Sequence, residues 1–219
     1  MEKIKYFTDE TISIEAEAIY QKLDNLFYLH KDQLILQKSA LLILDMQEFF
    51  LNENSHAFIP SAQAIIKPIN SLVKLFTNSN LPIITTKHIN TIENAKQMDF
   101  WWRDILKEES EFSKIISEFD LPQVELIIKS QYDAFYNTNL NKILQKINIE
   151  QVIITGVMTH LCCETTARSA FVRGYNVFFP IDGTATYNEN FHNATLTNLA
   201  HGFSSITLIK NLLNAFNGK

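Results

Sequence analysis

The sequence has neither a long apolar segment nor an excess of positive charge. Its longest apolar run lies in the stretch ALLILD (residues 40–45), far short of the ~20 residues that a membrane-spanning helix needs. Lys and Arg together number 19 against 24 Asp and Glu, so the net charge of −5 gives no attraction to nucleic-acid phosphates. The first residues, MEKIKYFTDE, are charged and lack the apolar part of an export signal. We therefore expect a cytoplasmic protein that binds neither a membrane nor nucleic acid.

Cysteine is scarce in this chain. There are two, Cys162 and Cys163, and they are adjacent in the sequence. A disulfide between neighbours would close a small, strained ring, so a disulfide framework is excluded. This usage is typical of a reducing compartment, where a cysteine serves chemistry or fills the core.

The apolar residues are grouped in short runs that are separated by stretches of helical periodicity. A chain of 219 residues, 46% of them apolar, is long enough for one α/β domain. Runs without strict alternation are typical of parallel strands that helices cover on both faces, and six are present: residues 40–45, 82–87, 124–129, 151–155, 176–180 and 205–209. Helical spacing predicts helices at residues 62–76, 140–147, 160–173, 190–200 and 210–216. The alternation predicts a three-layer, doubly wound α/β fold with a six-stranded parallel sheet and helices on both faces.

The boundaries of the main domain and of one helix can be predicted from individual residues. Residues 1–38 precede the first strand and are expected to form an N-terminal extension with one helix at residues 14–26. The main domain is then residues 39–219. Thr159 is a good N-cap and Gly174 a good C-cap for the helix between them.

Three chemically active side chains follow the ends of predicted strands. Asp45 ends the first run, Lys129 ends the third, and Cys162 comes a short turn after the fourth. Ligands of open α/β sheets bind beyond the carboxyl ends of the strands, so we expect these three side chains to meet at one edge of the sheet. In the first turn of a helix capped by Thr159, the helix dipole and Lys129 would stabilise a Cys162 thiolate. Asp45 is the available acceptor for the thiol proton.

Four stretches of the sequence resemble the isochorismatase-like hydrolases: ALLILDMQEFF, LPIITTKH, IIKSQYDAF and ITGVMTHLCCETTARSAFVRGY. They occur in the family's order and at similar spacing over residues 39–209. The resemblance implies the strand order 3-2-1-4-5-6 and a hydrolase activity for the main domain. It implies a catalytic triad of Asp45, Lys129 and Cys162. It also implies a cis peptide bond before Met158, whose N–H would bind a substrate oxyanion together with the N–H of Cys162.

The resemblance leaves more than one activity open. Amidases of the family use the cysteine as a nucleophile on a C–N bond, through a thioester. Isochorismatases cleave a vinyl ether and typically carry Gly, Tyr and Gln where this chain has Cys162, Met158 and His88, so these departures favour an amidase. Vinyl-ether hydrolysis with a protonated Asp45 as the acid is the alternative. A non-catalytic thiol sensor built on Cys162 and Cys163 is the third hypothesis.

The resemblance also indicates residues of the binding pocket and the expected partners. Phe49, Trp101, Lys129 and Tyr132 resemble the pocket of the isochorismatases proper, as does the long N-terminal extension, and these features favour the alternative activity. His88 is expected at the rim of the pocket. The stretch MDFWW (residues 98–102) lacks the Asp-x-His pair of metal-binding nicotinamidases, so we expect neither a metal nor a cofactor. The expected partner is a small-molecule substrate. The 16 phenylalanines, the N-terminal extension and the habit of the family predict a homo-oligomer, a dimer or larger.

Overall fold

A parallel β-sheet forms the centre of the molecule. The structure, a computed structural model, describes residues 2–27, 29–119 and 124–217. In chain order the strands are β1 (Ser39–Leu44), β2 (Ile83–His88), β3 (Glu125–Lys129), β4 (Gln151–Val157), β5 (Asn176–Pro180), β6 (Thr184–Ala185) and β7 (Ser205–Thr207). They pair in parallel in the order β3-β2-β1-β4-β5-β7, and β6 pairs with β4.

The six predicted runs are six of these strands, and their order is the one that the resemblance implied. The additional strand, β6, has two residues, too few for an apolar pattern to be visible in the sequence. The prediction that every run is covered on both faces is wrong for the edge strand β3. Its Leu126 and Ile128 are 46% and 57% exposed, whereas Ile127 and Lys129 are buried. At this edge of the sheet the covering layer reaches only one face of the strand.

Nine α-helices occur in the described parts of the chain: α1 (Ile12–Phe27), α2 (Glu48–Leu51), α3 (Ile66–Asn78), α4 (Ile92–Ala95), α5 (Gln97–Trp101), α6 (Leu140–Lys146), α7 (Glu164–Val172), α8 (Glu189–Gly202) and α9 (Ile209–Asn217). The six predicted helices correspond to α1, α3, α6, α7, α8 and α9. The others have four or five residues, so they carry no periodic pattern. Helix α3 buries apolar side chains at helical spacing and packs on β1, β2 and α9. Within the described ranges, no helix has the length and apolarity needed to cross a membrane.

The chain after β4 departs from the predicted helix at residues 160–173. A single wide turn of π type covers Thr159–Cys163, and α7 begins only at Glu164. The Thr159 side chain does not cap this helix, because its Oγ1 lies 3.2 Å from Nδ1 of His192 instead. The predicted end is confirmed: Gly174 follows the helix with a φ of +89°, and its N–H donates to the Phe171 carbonyl.

The residues before β1 pack on the body of the protein. Phe7 and Ala16 are fully buried, and α1 contacts α8. The helix predicted at residues 14–26 is therefore present as α1, with slightly wider bounds. The division of the chain at residue 38 into an extension and a domain stays a prediction.

Gly156 allows β4 to lie unusually close to β1 at the point where both strands end. Its φ is +107°, in the region that L-residues with a side chain rarely adopt. A Cβ at this position would lie 2.1 Å from the carbonyl oxygen and 2.7 Å from the nitrogen of Leu44. Both atoms belong to the backbone of β1, so they cannot move without shifting this strand. Asp45, the next residue in the chain, would then be displaced as well.

Replacing Gly156 by alanine is therefore expected to lower the free energy of unfolding by about 3 kcal/mol or more, through backbone strain and overpacking. Gly174→Ala is the matched control, because Gly174 also has a positive φ but nothing lies within 4 Å of its added Cβ. We expect that control to lose only about 1 kcal/mol, the cost of the left-handed backbone. Urea denaturation of both variants measures the difference. Equal losses would contradict the role of the close approach.

Candidate active site

Three ionisable side chains meet at the carboxyl edge of the sheet. Asp45 follows β1, Lys129 ends β3, and Cys162 lies in the wide turn after β4. Nζ of Lys129 lies 2.7 Å from Oδ2 of Asp45 and 3.3 Å from Sγ of Cys162. Because β2 separates β1 from β3, the long lysine side chain has to reach past that strand to make both contacts. The structure therefore brings together the three residues that the sequence analysis selected.

The Asp45 carboxylate is held from two sides. Its φ of 52° is in the left-handed region, which aspartate tolerates better than most residues. The Thr86 hydroxyl donates to Oδ1 of Asp45 at 2.6 Å and accepts the Asp45 backbone N–H at 3.1 Å. Lys129 also donates to the Gln131 carbonyl at 2.9 Å, which fixes its ammonium group between three partners. These hydrogen bonds hold the carboxylate of Asp45 and the ammonium of Lys129 in fixed positions relative to each other.

The charges of Asp45 and Lys129 stabilise each other although both side chains are fully buried. Burial acts to raise the pKa of Asp45, but the charge of Lys129, together with hydrogen bonds, leaves it below its ordinary value. Burial likewise acts to lower the pKa of Lys129, yet the carboxylate and the nearby sulfur raise it above its ordinary value. At neutral pH the resting pair is therefore a carboxylate and an ammonium.

The Cys162 thiol is protonated in the resting site. Burial raises the pKa of Cys162 to about 12, and the negative charge of Asp45 adds to the increase, whereas Lys129 opposes it. The expectation of a stabilised thiolate in a capped first turn is therefore wrong. The physical reasons are that Thr159 does not cap a helix here and that the sulfur is buried beside a carboxylate.

His88, at the end of β2, is a neutral neighbour of the three side chains. Burial, followed by the charge of Lys129, lowers the pKa of His88 to about 4. Its Nε2 lies 2.8 Å from Oδ1 of Asn90, and the Asn90 amide group donates to the Ser130 carbonyl, so Nε2 carries the proton. Nδ1 is then the unprotonated nitrogen, and it lies 3.5 Å from Nζ of Lys129. The backbone N–H of His88 donates to the Gln47 side chain.

A small apolar cleft opens onto Cys162. It has about 540 Å³ of empty space, its open mouth included, within the range of small-molecule sites. The side chains around it are mostly aromatic or aliphatic: Phe49, Phe50, His56, Ala57, His88, Asn90, Met98, Trp102, Asp104, Ile105, Leu106, Tyr132, Met158, Leu161, Cys162 and Tyr187. Three of the four predicted binding residues, Phe49, His88 and Tyr132, are thus found at the cleft.

The prediction of Trp101 as a binding residue is wrong. Trp101 is the last residue of α5, its side chain is 72% exposed, and it does not line the cleft. The neighbouring Trp102 does, and its Nε1 donates to the Tyr132 hydroxyl at 2.7 Å. Consecutive residues at the end of a helix point in different directions, and the sequence did not reveal which of the two tryptophans faces inward.

Met158 also lines the cleft. The Val157–Met158 peptide bond is cis, as the resemblance implied. The Met158 carbonyl accepts the N–H groups of Leu161 and Cys163, so it faces the wide turn. The N–H groups of Met158 and Cys162 are the donors predicted for an oxyanion, and that role stays a prediction.

The residues that position Asp45 and His88 were not predicted from the sequence. Thr86 and Gln47 have no reactive group, but they bind Asp45 and His88, respectively. A signal for Thr86 was present: in a parallel sheet of this order, the end of β2 lies beside the end of β1, so a hydroxyl there is near Asp45. In the ranges that the structure covers, no three His, Cys, Asp or Glu side chains are grouped as metal ligands would be.

The chain is similar to known proteins over most of its length. The family model of the Isochorismatase domain matches residues 39–210. Nicotinamidase 3 of Arabidopsis thaliana is 38% identical over 172 residues, which are 76% of this chain and 82% of that protein. Enterobactin synthase component B of Escherichia coli (strain K12) is 29% identical over 187 residues, 82% of this chain and 64% of that protein.

The fold is shared with a solved structure as well. A cysteine hydrolase from Pseudomonas syringae pv. phaseolicola 1448A superposes with a TM-score of 0.82 and 22% identity, covering 87% of this chain and 97% of the other. At that identity the likeness concerns the fold alone. The family model, which matches far more than half of the residues, and the plant relative determine the family. The chain belongs to the isochorismatase-like hydrolases.

Proposed function

We propose that this protein hydrolyses the C–N bond of a small amide, with Cys162 as the nucleophile. The observation that carries the proposal is the contact of the Cys162 sulfur with Lys129, which in turn contacts Asp45, at the base of an apolar cleft. An adjacent proton acceptor and a neighbouring cation are groups that activate a thiol for nucleophilic attack.

The relatives and the cleft favour a small, uncharged amide as the substrate class. The relative from Arabidopsis thaliana is a nicotinamidase, so nicotinamide is the first compound to test. The cleft walls are mainly apolar and include Phe49, Trp102 and Tyr132, which suit a flat ring. We retain His88 and Tyr132 as polar contacts for the substrate.

The first step is transfer of the thiol proton from Cys162 to Asp45. Before the transfer, the three groups are a carboxylate, an ammonium and a neutral thiol. After it, they are a neutral acid, an ammonium and a thiolate. The total charge of the buried site is unchanged, and Lys129 remains in contact with the anion in both states. The step therefore creates no additional unpaired charge in the low-dielectric interior. For this reason the Cys162 thiol can give up its proton to Asp45 although its pKa is about 12.

The thiolate then attacks the substrate carbonyl carbon, and the C=O electrons move to the oxygen. The N–H groups of Met158 and Cys162 bind this oxyanion. When the intermediate collapses, the C–N bond breaks, and the protonated Asp45 gives its proton to the leaving nitrogen. The products of this half-reaction are the amine and a thioester on Cys162.

Water completes the cycle. Asp45, ionised again, accepts a proton from the water molecule that attacks the thioester. The C–S bond breaks, the sulfur recovers a proton from Asp45, and the carboxylic acid leaves. One amide and one water are consumed for each acid and amine, and the three side chains return to their resting protonation.

The electrostatics of Asp45 disfavour vinyl-ether hydrolysis, the alternative that the resemblance to isochorismatases left open. That reaction requires Asp45 to be protonated in the resting site. Lys129 instead lowers the pKa of Asp45 below its ordinary value. The thiol-sensor hypothesis is disfavoured as well, because burial raises the pKa of both Cys162 and Cys163, which makes them poor thiolates.

We also retain the proposal that copies of this chain associate. Its support is the group of large apolar side chains on α4 and α5, where Ile92, Phe100 and Trp101 are 72% to 85% exposed. Exposed apolar groups of this size on neighbouring helices are typical of contact surfaces. Sedimentation equilibrium is expected to give a mass above the 25.3 kDa of one chain. A monomer at high concentration would contradict the proposal.

Cys162→Ala is expected to lower kcat for nicotinamide, or for another small amide that the wild type turns over, by about 10³-fold or more, because the nucleophile is lost. Cys163→Ala is the matched control, because Cys163 is buried and adjacent to Cys162 in the sequence but does not line the cleft. This substitution should leave kcat within about threefold of the wild-type value. Asp45→Asn should be nearly as damaging as Cys162→Ala. If Cys162→Ala retained activity on a vinyl ether while Asp45→Asn lost it, the alternative reaction would be correct.

The pH profile of kcat/KM is expected to be flat between about pH 5 and about pH 10. Asp45 is a base whose pKa lies below its ordinary value, so activity is lost only as the pH falls through that low pKa. Protonation of His88 at about pH 4 adds a cation beside Lys129 in the same acidic range. On the alkaline side, the Cys162 thiol has a pKa of about 12, so it stays protonated throughout the flat range. Initial rates on one amide substrate measure the profile, and an acid limb centred near neutral pH would contradict the assignment.

A further inference from the structure

The first residues of the chain contact both sides of the cleft, although they lie outside the region that matches the family. That region is residues 39–210. We call residues 3–7 the N-terminal strap. Two loops line the cleft near it: one carries His56, and the other carries Tyr187. The strap runs between these loops and makes polar contacts with each.

The side chain of Lys3 contacts both loops at once. Its Nζ donates a hydrogen bond to the His56 carbonyl and lies 4.4 Å from the centre of the Tyr187 ring, in a cation–π contact. The N–H of Ile4 donates to the Tyr187 carbonyl at 2.8 Å. Since His56 and Tyr187 both line the cleft, these contacts fix the separation of two of its walls.

Tyr6 contacts two residues on the inner side of the strap, Thr186 and His192. Its hydroxyl oxygen accepts the Thr186 N–H at 3.0 Å and lies 3.2 Å from Nδ1 of His192. The same nitrogen lies 3.2 Å from the Thr159 hydroxyl, and Thr159 is the first residue of the wide turn that carries Cys162. The chain of contacts thus runs from the strap, through one buried histidine, to the segment that holds the nucleophile.

The strap is firmly anchored. The N–H groups of Tyr6 and Phe7 both donate to the Ser61 hydroxyl, at 2.9 and 3.1 Å. The Phe7 side chain is fully buried, and its ring packs edge-on against the ring of His192 with 5.3 Å between centroids. A segment anchored in this way can hold the positions of its neighbours.

We propose that the N-terminal strap positions the walls of the cleft, with Lys3 and Tyr6 as two positioning residues of different effect. Lys3 acts through His56 and Tyr187, which contact the bound substrate, so it influences substrate binding. Tyr6 acts through His192 and Thr159 on the turn that carries Cys162, so it influences the chemical step. The proposal rests on the proposed function, because it takes the cleft as the substrate site.

Three single variants test this division of effect. Lys3→Met keeps the side-chain stem but removes its charge and its donor, and should raise KM about fivefold with kcat within twofold. Tyr6→Phe keeps the ring but leaves the Thr186 N–H without its acceptor, and should lower kcat about five- to tenfold with KM within twofold. Lys5→Ala, an exposed residue of the same strap, is the control and should leave both constants within about twofold.

Hydrogen exchange gives a readout that does not depend on turnover. In Tyr6→Phe, the backbone amides of residues 157–163 and 184–188 should exchange at least about threefold faster than in the wild type. In Lys5→Ala they should not change. If the wild type turned over no amide, the proposed function would fail, while the exchange rates would still decide whether the strap positions these segments.

Two outcomes would overturn the proposal. One is unaltered exchange in Tyr6→Phe. The other is that Lys3→Met and Tyr6→Phe change kcat and KM in the same proportion, as an unspecific loss of stability would do. Thermal unfolding of each variant identifies such a loss. If Tyr6→Phe did not fold, the rise in KM of Lys3→Met, whose side chain is only partly buried, would remain as the deciding measurement.

Discussion

The buried ion pair between Lys129 and Asp45 is the interaction on which the site depends. Both side chains are fully buried, and their charged atoms are 2.7 Å apart. Withdrawing two charges from water costs several kcal/mol for each, and only a close partner with further hydrogen bonds offsets that cost. Thr86 supplies such a bond to the carboxylate, and the Gln131 carbonyl supplies one to the ammonium. The fold can therefore accommodate this buried pair because the ends of β1, β2 and β3 bring Asp45, Thr86 and Lys129 together.

The same pair determines the state of the thiol. A sulfur buried beside a carboxylate keeps its proton, so the resting thiol of Cys162 is neutral, and in the proposed mechanism its activation is coupled to Asp45. Lys129 contacts both groups and can stabilise whichever of them carries the negative charge. This arrangement differs from a thiolate stabilised by a helix dipole, because the proposed activation moves one proton inside a site of constant charge.

The geometry of the site also depends on features other than the order of the strands in the sheet. Gly156 lets β4 approach β1 closely, just where Asp45 and the cysteine-bearing turn leave the sheet. Tyr6, far from both in sequence, contacts the histidine that binds Thr159. The walls of the cleft therefore belong to the family domain, but a segment that precedes this domain contacts them.

The amino-acid sequence by itself determined the six main strands and placed Asp45, Lys129 and Cys162 near their ends. These features follow from local patterns, since apolar runs and helical spacing are legible without knowledge of distant contacts. Tertiary structure alone decided that Trp102 and not Trp101 faces the cleft, that Thr159 binds His192, and that the thiol is protonated. Side-chain direction, burial and pKa depend on which groups from elsewhere in the chain surround a residue, and no local pattern encodes those neighbours.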